Sequence, residues 1–160
     1  MTDAHAPLTE GAAAPAFSLP RDGGATLKLS DLKGKTVVLY FYPKDDTSGC
    51  TAESIDFSKL AKEFDAAGAL VVGMSPDPVK SHDRFRAKHE LTQPLLADES
   101  KETLSAYGVW VEKSMYGRKY MGVERTTVLI DGQGRIAKIW RKVKVPGHAQ
   151  EVLAAAKALG

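Results

Sequence analysis

The chain has 160 residues, enough for one domain with its own hydrophobic core and too few to divide comfortably into two. A hydrophobic share of 43% and a charged share of 26% exclude a disordered, collagen-like or disulfide-scaffold protein. With 22 basic and 20 acidic residues the formal net charge is +2, which gives no general attraction for nucleic acid or an anionic membrane. Residues 1–15, rich in alanine with Pro7 and Pro15, read as a loosely attached leader. The amino-terminal stretch has no basic patch ahead of an apolar core, and no run approaches the roughly 18 apolar residues of a membrane span. FSLPRDGGATLKLSDL alternates Phe17 and Leu19, turns at Asp22-Gly23-Gly24 and resumes with Leu27 and Leu29, the pattern of a hairpin. TVVLYFY is continuously β-branched and aromatic, so it predicts a strand buried on both faces, ended by Pro43.

After Thr51 the period changes. Phe57, Leu60, Ala61 and Phe64 recur at helical spacing up to Gly68, which predicts one helix with Cys50 in its first turn. ALVVGMS is a second buried strand, Asp77-Pro78 opens a helix running to about His89, PLLAD is a short strand and KETLSAYG a short helix. VWVEKSMYGRKYMG reads as an irregular aromatic-basic segment, TTVLIDGQGRIAKIWRKV as a hairpin, and His148 to Leu159 as a closing helix. This order predicts an α/β domain spanning 1–160, a mixed β-sheet flanked by helices with an N-terminal β-hairpin. The turn after the first buried strand lies at the carboxyl end of the sheet, where helix amino termini point and ligands gather.

Cys50 lies on that turn and is the only cysteine. A lone cysteine is usually a small buried hydrophobe. Here its neighbours Ser48, Gly49, Thr51 and Glu53 are polar or small, and unpaired N–H groups at a helix start favour a thiolate. A single thiol also fits a reducing, cytoplasmic compartment.

The stretch YFYPKDDTSGCTAES carries the spacing Pro43, Thr47, Cys50, and this P-x-x-x-T-x-x-C pattern resembles the active site of peroxiredoxins. PKDDTSGCTAE resembles in particular the Q type, also called bacterioferritin comigratory protein. FSLPRDGG, SPDPVKSHDRF, KSMYGRKYMGVERTTVLID and GRIAKIWRKVK extend the resemblance over nearly the whole chain. It implies a thioredoxin-like fold and a thiol-dependent peroxidase. It further implies a peroxidatic Cys50, a supporting Thr47, a shielding Pro43, a catalytic Arg125, and Glu53 orienting Arg125.

The chemistry needs these types together. Lowering a thiol pKa from about 8.5 to about 6 raises its thiolate fraction at neutral pH about thirtyfold but costs roughly tenfold in nucleophilicity, so acidity alone gains little. Fast attack needs donors that hold both peroxide oxygens and stabilise the departing one. The Thr47 hydroxyl, the Cys50 N–H and the Arg125 guanidinium are the expected donors.

Other residues suggest no second activity. His5, His82, His89 and His148 lack metal-ligand spacing and are expected at the surface, and neither a metal nor a cofactor is expected. Asp45 and Asp46 suit a turn after Pro43, and RKVK suits an exposed strand face alternating with Val143 and Val145.

Many Q-type relatives carry a second, resolving cysteine, either five residues after the first or in the helix after the second strand. Those places hold Ile55 and, in SHDRFRAKH, Arg86. An intramolecular disulfide is therefore impossible, and oxidised Cys50 must be reduced by an external thiol, from a thioredoxin, a glutaredoxin or a small molecule. The expected partners are this reductant and a peroxide, in a monomer or weak homodimer. A peroxide sensor or redox-regulated binding protein using the same cysteine is the alternative, while a thioredoxin-like oxidoreductase is disfavoured by the absence of C-x-x-C.

Overall fold

The computed structural model describes residues 8–159. Strands β1 (Ser18–Pro20) and β2 (Thr26–Lys28) pair antiparallel, as the alternating leucines require. Then come β3 (Thr36–Phe41), α1 (Ser48–Lys59), α2 (Ala61–Ala66), β4 (Ala69–Ser75), α3 (Val79–Lys88), β5 (Leu95–Ala97) and α4 (Glu102–Ala106). β6 (Trp110–Met115) and β7 (Arg118–Val123) form a separate hairpin, followed by β8 (Thr126–Ile130), β9 (Ile136–Trp140) and α5 (His148–Leu159).

The main sheet has the order β5-β4-β3-β8-β9, with β4 parallel to β3 and β8 antiparallel to it. It is the expected mixed sheet between helices. β3 sits at its centre, which explains why it is buried and apolar or aromatic from Val37 to Phe41. Val38, Tyr40 and Tyr42 face a cluster with Phe57 of α1, Phe64 of α2, Phe85 of α3 and Val152 of α5. Val37, Leu39 and Phe41 face the opposite cluster, with Phe17, Leu32 and Leu104 of α4. The strand period of two thus splits one run of residues between two cores. The Phe57 ring stacks on Tyr40 at 4.7 Å between centroids. Emptying such a position by truncation to alanine costs about 3–5 kcal/mol.

The antiparallel pairing of β8 positions the site. Phe41, near the carboxyl end of β3, is in register with Thr126, near the amino end of β8. The chain leaving β3 toward Cys50 and the chain entering β8 through Arg125 therefore meet at one edge of the sheet.

Several expectations are corrected. VWVEKSMYGRKYMG is not irregular: β6 and β7 pair from Trp110↔Val123 to Met115↔Arg118. Their turn places Tyr116 at φ 52° and Gly117 at φ 78°, the two positive values of a tight hairpin turn, and tyrosine at the first of them hides the signal that Asn-Gly would have shown. The helix expected from Cys50 to Gly68 breaks at Leu60, whose N–H bonds to Phe57 O at 3.2 Å and tightens the turn between α1 and α2. Arg141 to Lys144 lie beyond β9 rather than in a strand, although Val143 and Val145 are the half-buried positions of that segment. Residues 8–15 are not loose. Gly11 N–H donates to Ile136 O at 2.7 Å, Ala14 N–H donates to Gly134 O at 2.9 Å, and Leu8 packs on the core. Pro7 and the rest of 1–7, with His5, fall outside the described residues. Among the described residues no helix is long and apolar enough to cross a membrane.

Candidate active site

Thr47, Ser48, Gly49 and Cys50 open α1. Thr47 is the N-cap in an extended conformation, and the first helical hydrogen bond runs from Thr51 N–H to Thr47 O at 2.8 Å. The N–H groups of Ser48, Gly49 and Cys50 thus precede the helical ladder and leave a positive end beside the sulfur. Cys50 itself is 1% exposed and packs against the core.

Arg125 lies just before β8. Its Nη2 donates to Cys50 Sγ at 3.2 Å and its Nη1 donates to Glu53 Oε1 at 2.6 Å. One guanidinium therefore faces the sulfur while its other arm is held by a carboxylate one helical turn along. The Arg125 carbonyl accepts Val143 N–H at 3.0 Å, which anchors its main chain to the loop after β9.

The two partners respond differently to burial. The Glu53 side chain is 1% exposed and the Arg125 side chain 17%. Desolvation pushes the Glu53 carboxyl up despite the pull of Arg125. Burial also opposes the Arg125 charge, but Glu53 and the Cys50 sulfur outweigh it and hold the guanidinium above its usual range. The deeper group bears the larger desolvation cost. Glu53 Oε2 is buried without a hydrogen-bond partner, an uncompensated polar cost beside the Arg125 ion pair.

The remaining expected residues share this edge of the sheet. Pro43 follows β3 and is half-buried. The exposed Thr47 hydroxyl donates to Lys44 O at 2.9 Å, so it offers a ligand its lone pairs rather than the proton expected of it. Gly49 is a residue the sequence did not single out. A Cβ there would stand 3.2 Å from Arg125 Nη2, so only glycine leaves the guanidinium its full room. Gly49→Ala should displace Arg125 by a few tenths of an ångström and slow the reaction with peroxide about tenfold, on the scale of small misplacements in a catalytic array. Stopped-flow oxidation beside an unchanged circular dichroism spectrum checks this, and an unaltered rate would show that Arg125 tolerates the shift. Lys113 of β6 is half-buried, and burial together with the Arg125 cation pulls its pKa down.

His82, His89 and His148 do not behave as surface residues. His82 is fully buried and His148 is 5% exposed. His148 shares a 2.8 Å hydrogen bond with the Thr127 hydroxyl, and burial pushes it down to about 4. His89 is half-buried and bonds to Asp46. Asp45 is buried, with Tyr42, Ser81 and His82 around its carboxylate. These polar residues lie among ordinary helix and turn residues in the sequence, so nothing local marks them.

Comparison with known proteins gives the family. Residues 11–139 match the AhpC/TSA family. The chain is 48% identical over 143 residues to peroxiredoxin Bcp of Bacillus subtilis, covering 89% of this chain and 91% of that protein. It is 48% identical over 160 residues to peroxiredoxin Bcp of Xanthomonas campestris, covering 99% of this chain and 98% of that one. A solved structure of the Xanthomonas campestris bacterioferritin comigratory protein, described for its alkyl peroxide reduction activity, superposes with a TM-score of 0.85 at 47% identity, covering 89% of this chain and 90% of that one. A chain so matched along its length, with one thiol under an arginine at a helix start, belongs to the AhpC/TSA family as a one-cysteine peroxiredoxin of the Bcp or Q type and is a thiol-dependent peroxidase.

Proposed function

We propose that Cys50 is the residue oxidised in each cycle, and that the contact of Arg125 Nη2 with Cys50 Sγ is what makes the site reactive. The Cys50 thiolate attacks the nearer oxygen of a hydroperoxide. The O–O bond breaks, its electron pair leaves with the far oxygen as hydroxide or alkoxide, which is protonated to water or an alcohol, and the sulfur is left as sulfenic acid. Arg125 and the N–H groups of the first turn stabilise the developing charge, Thr47 accepts the hydroperoxide proton as a hydrogen bond, and Pro43 limits water. Glu53 is a positioning residue that holds Arg125. Hydrogen peroxide and organic hydroperoxides both meet these requirements, and the alkyl peroxide chemistry described for the Xanthomonas campestris protein supports the second class.

No other cysteine exists in the chain, so a first external thiol displaces water from the sulfenic acid to give a mixed disulfide with Cys50. A second thiol then attacks that adduct, releasing the external disulfide and the Cys50 thiolate. A thioredoxin, a glutaredoxin or a small thiol suits this role. A monomer or weak homodimer in the cytoplasm completes the reading, since a reducing compartment keeps a single thiol free.

The test is turnover. One equivalent of peroxide should add one oxygen atom to Cys50 by intact mass, and continued consumption should require added thiol. At limiting thiol, inactivation should grow with peroxide, because the waiting sulfenic acid is carried on to sulfinic and sulfonic acid. Sustained turnover with no thiol present would refute the external-reductant cycle. A single oxidation that thiols cannot reverse would favour a sensor.

A further inference from the structure

The turn between β3 and α1 is fastened to α3 by two consecutive aspartates. Asp46, at φ 60°, accepts from Lys88 Nζ at 2.7 Å and from His89 Nε2 at 2.9 Å. These contacts are exposed, so water screens them. Asp45 makes the buried attachment. Its Oδ1 accepts the Tyr42 hydroxyl at 2.6 Å, and its Oδ2 accepts the Ser81 hydroxyl at 2.7 Å and lies 2.7 Å from His82 Nδ1. Its N–H donates to Asp77 Oδ2 at 2.8 Å, which also accepts from Ser75.

The protonation state of His82 follows from its partners. Nε2 lies 2.9 Å from Leu96 O, a carbonyl that can only accept, so Nε2 carries a hydrogen. Nδ1 faces a carboxylate already accepting two hydroxyl donors. A lone pair there would meet another lone pair at 2.7 Å inside the protein, so Nδ1 carries a hydrogen as well. We propose that His82 is a positioning residue for the peroxide step: as a buried imidazolium paired with Asp45, it locks the turn from Pro43 to Thr47, and with it the start of α1 that carries Cys50, onto α3 and β5.

The charged groups facing the ring are Asp45, from the turn, and Asp77, from the segment before α3; Tyr42 and Ser81 contribute hydroxyls through Asp45. Burial opposes the charge on His82, and the hydrogen bond and charge of Asp45 outweigh it, so the imidazolium persists above its ordinary range. A raised histidine stabilises the fold fully below its unfolded pKa, and that contribution is lost as pH rises through the folded value. As pH rises through that value the ring gives up a proton and with it its charge, so the buried Asp45 carboxylate loses its counter-charge and the turn is freed.

Two variants and one spectrum test this. Nitrogen-15 spectra of the reduced protein should show both His82 ring nitrogens protonated at neutral pH. The rate of Cys50 oxidation by peroxide should fall at alkaline pH in step with the loss of that proton, with no matching fall in alkylation by iodoacetamide. Asp45→Asn keeps the shape and can donate to a neutral ring, so it should remove this alkaline limb. His82→Ala should slow oxidation about tenfold or more while alkylation changes about twofold or less, the mark of lost positioning. A neutral His82 at neutral pH, an alkaline limb that survives in Asp45→Asn, or unchanged oxidation in His82→Ala would each overturn the proposal. The spectrum and the wild-type pH profile decide it even where His82→Ala fails to fold.

Discussion

Cys50→Ser is expected to abolish peroxide consumption and leave the fold intact. The hydroxyl is close in size to the thiol it replaces, it can still accept the Arg125 N–H, and the surrounding cluster with Tyr40 and Phe57 stays filled. At neutral pH, however, it supplies no anion, and its oxygen cannot take up a second oxygen from a peroxide. Consumption followed with excess peroxide and thiol should drop to the uncatalysed background, while thermal unfolding shifts only slightly. Near-normal turnover in this variant would move the chemistry away from Cys50 altogether.

Arg125→Ala is expected to lower the rate with peroxide by about a hundredfold or more, the scale of losing an oxyanion donor. Alkylation by iodoacetamide should fall far less, because that reaction needs a thiolate but no activation of an O–O bond. Equal losses in both reactions would show that Arg125 acts only on the thiolate. Stability should suffer too. Glu53 is 1% exposed and would lose its Nη1 donor, and because burial already pushes its carboxyl up it would take up a proton, so the loss of stability should be smallest at acid pH and grow as rising pH charges the buried carboxyl. Adding Glu53→Gln to Arg125→Ala removes that charge, so the double variant should recover stability at high pH and remain slow. That split between stability and rate separates the structural half of the ion pair from its catalytic half.

The sequence by itself determined the parts whose signals are local. The β-branched and aromatic run from Thr36 to Phe41 could only be a buried strand, and the spacing from Phe57 to Phe64 marked helix without showing the break at Leu60. Polar residues around Cys50 suggested an exposed position, whereas its side chain is buried against the core. Gly49 was visible as a glycine, but its purpose was not, because Arg125 stands 76 residues away in the chain and reaches it only through the antiparallel pairing of β3 with β8. That pairing is a long-range choice made by packing two cores around one strand; no local pattern encodes it, and only the family resemblance, which set Arg125 in the Cys50 site, pointed to it in the sequence.

The tertiary structure also decided the polar interior. SHDRF reads as the solvated face of a helix, since helical periodicity reports polarity rather than partners, yet His82 is fully enclosed because Asp45, 37 residues earlier, supplies the counter-charge. The same reason hid the β6–β7 hairpin, whose turn depends on a tyrosine held at positive φ and whose strands lie outside the main sheet. Local sequence specifies backbone habit and hydrophobic faces. Which buried charge meets which depends on desolvation costs that exist only once distant segments have closed around them.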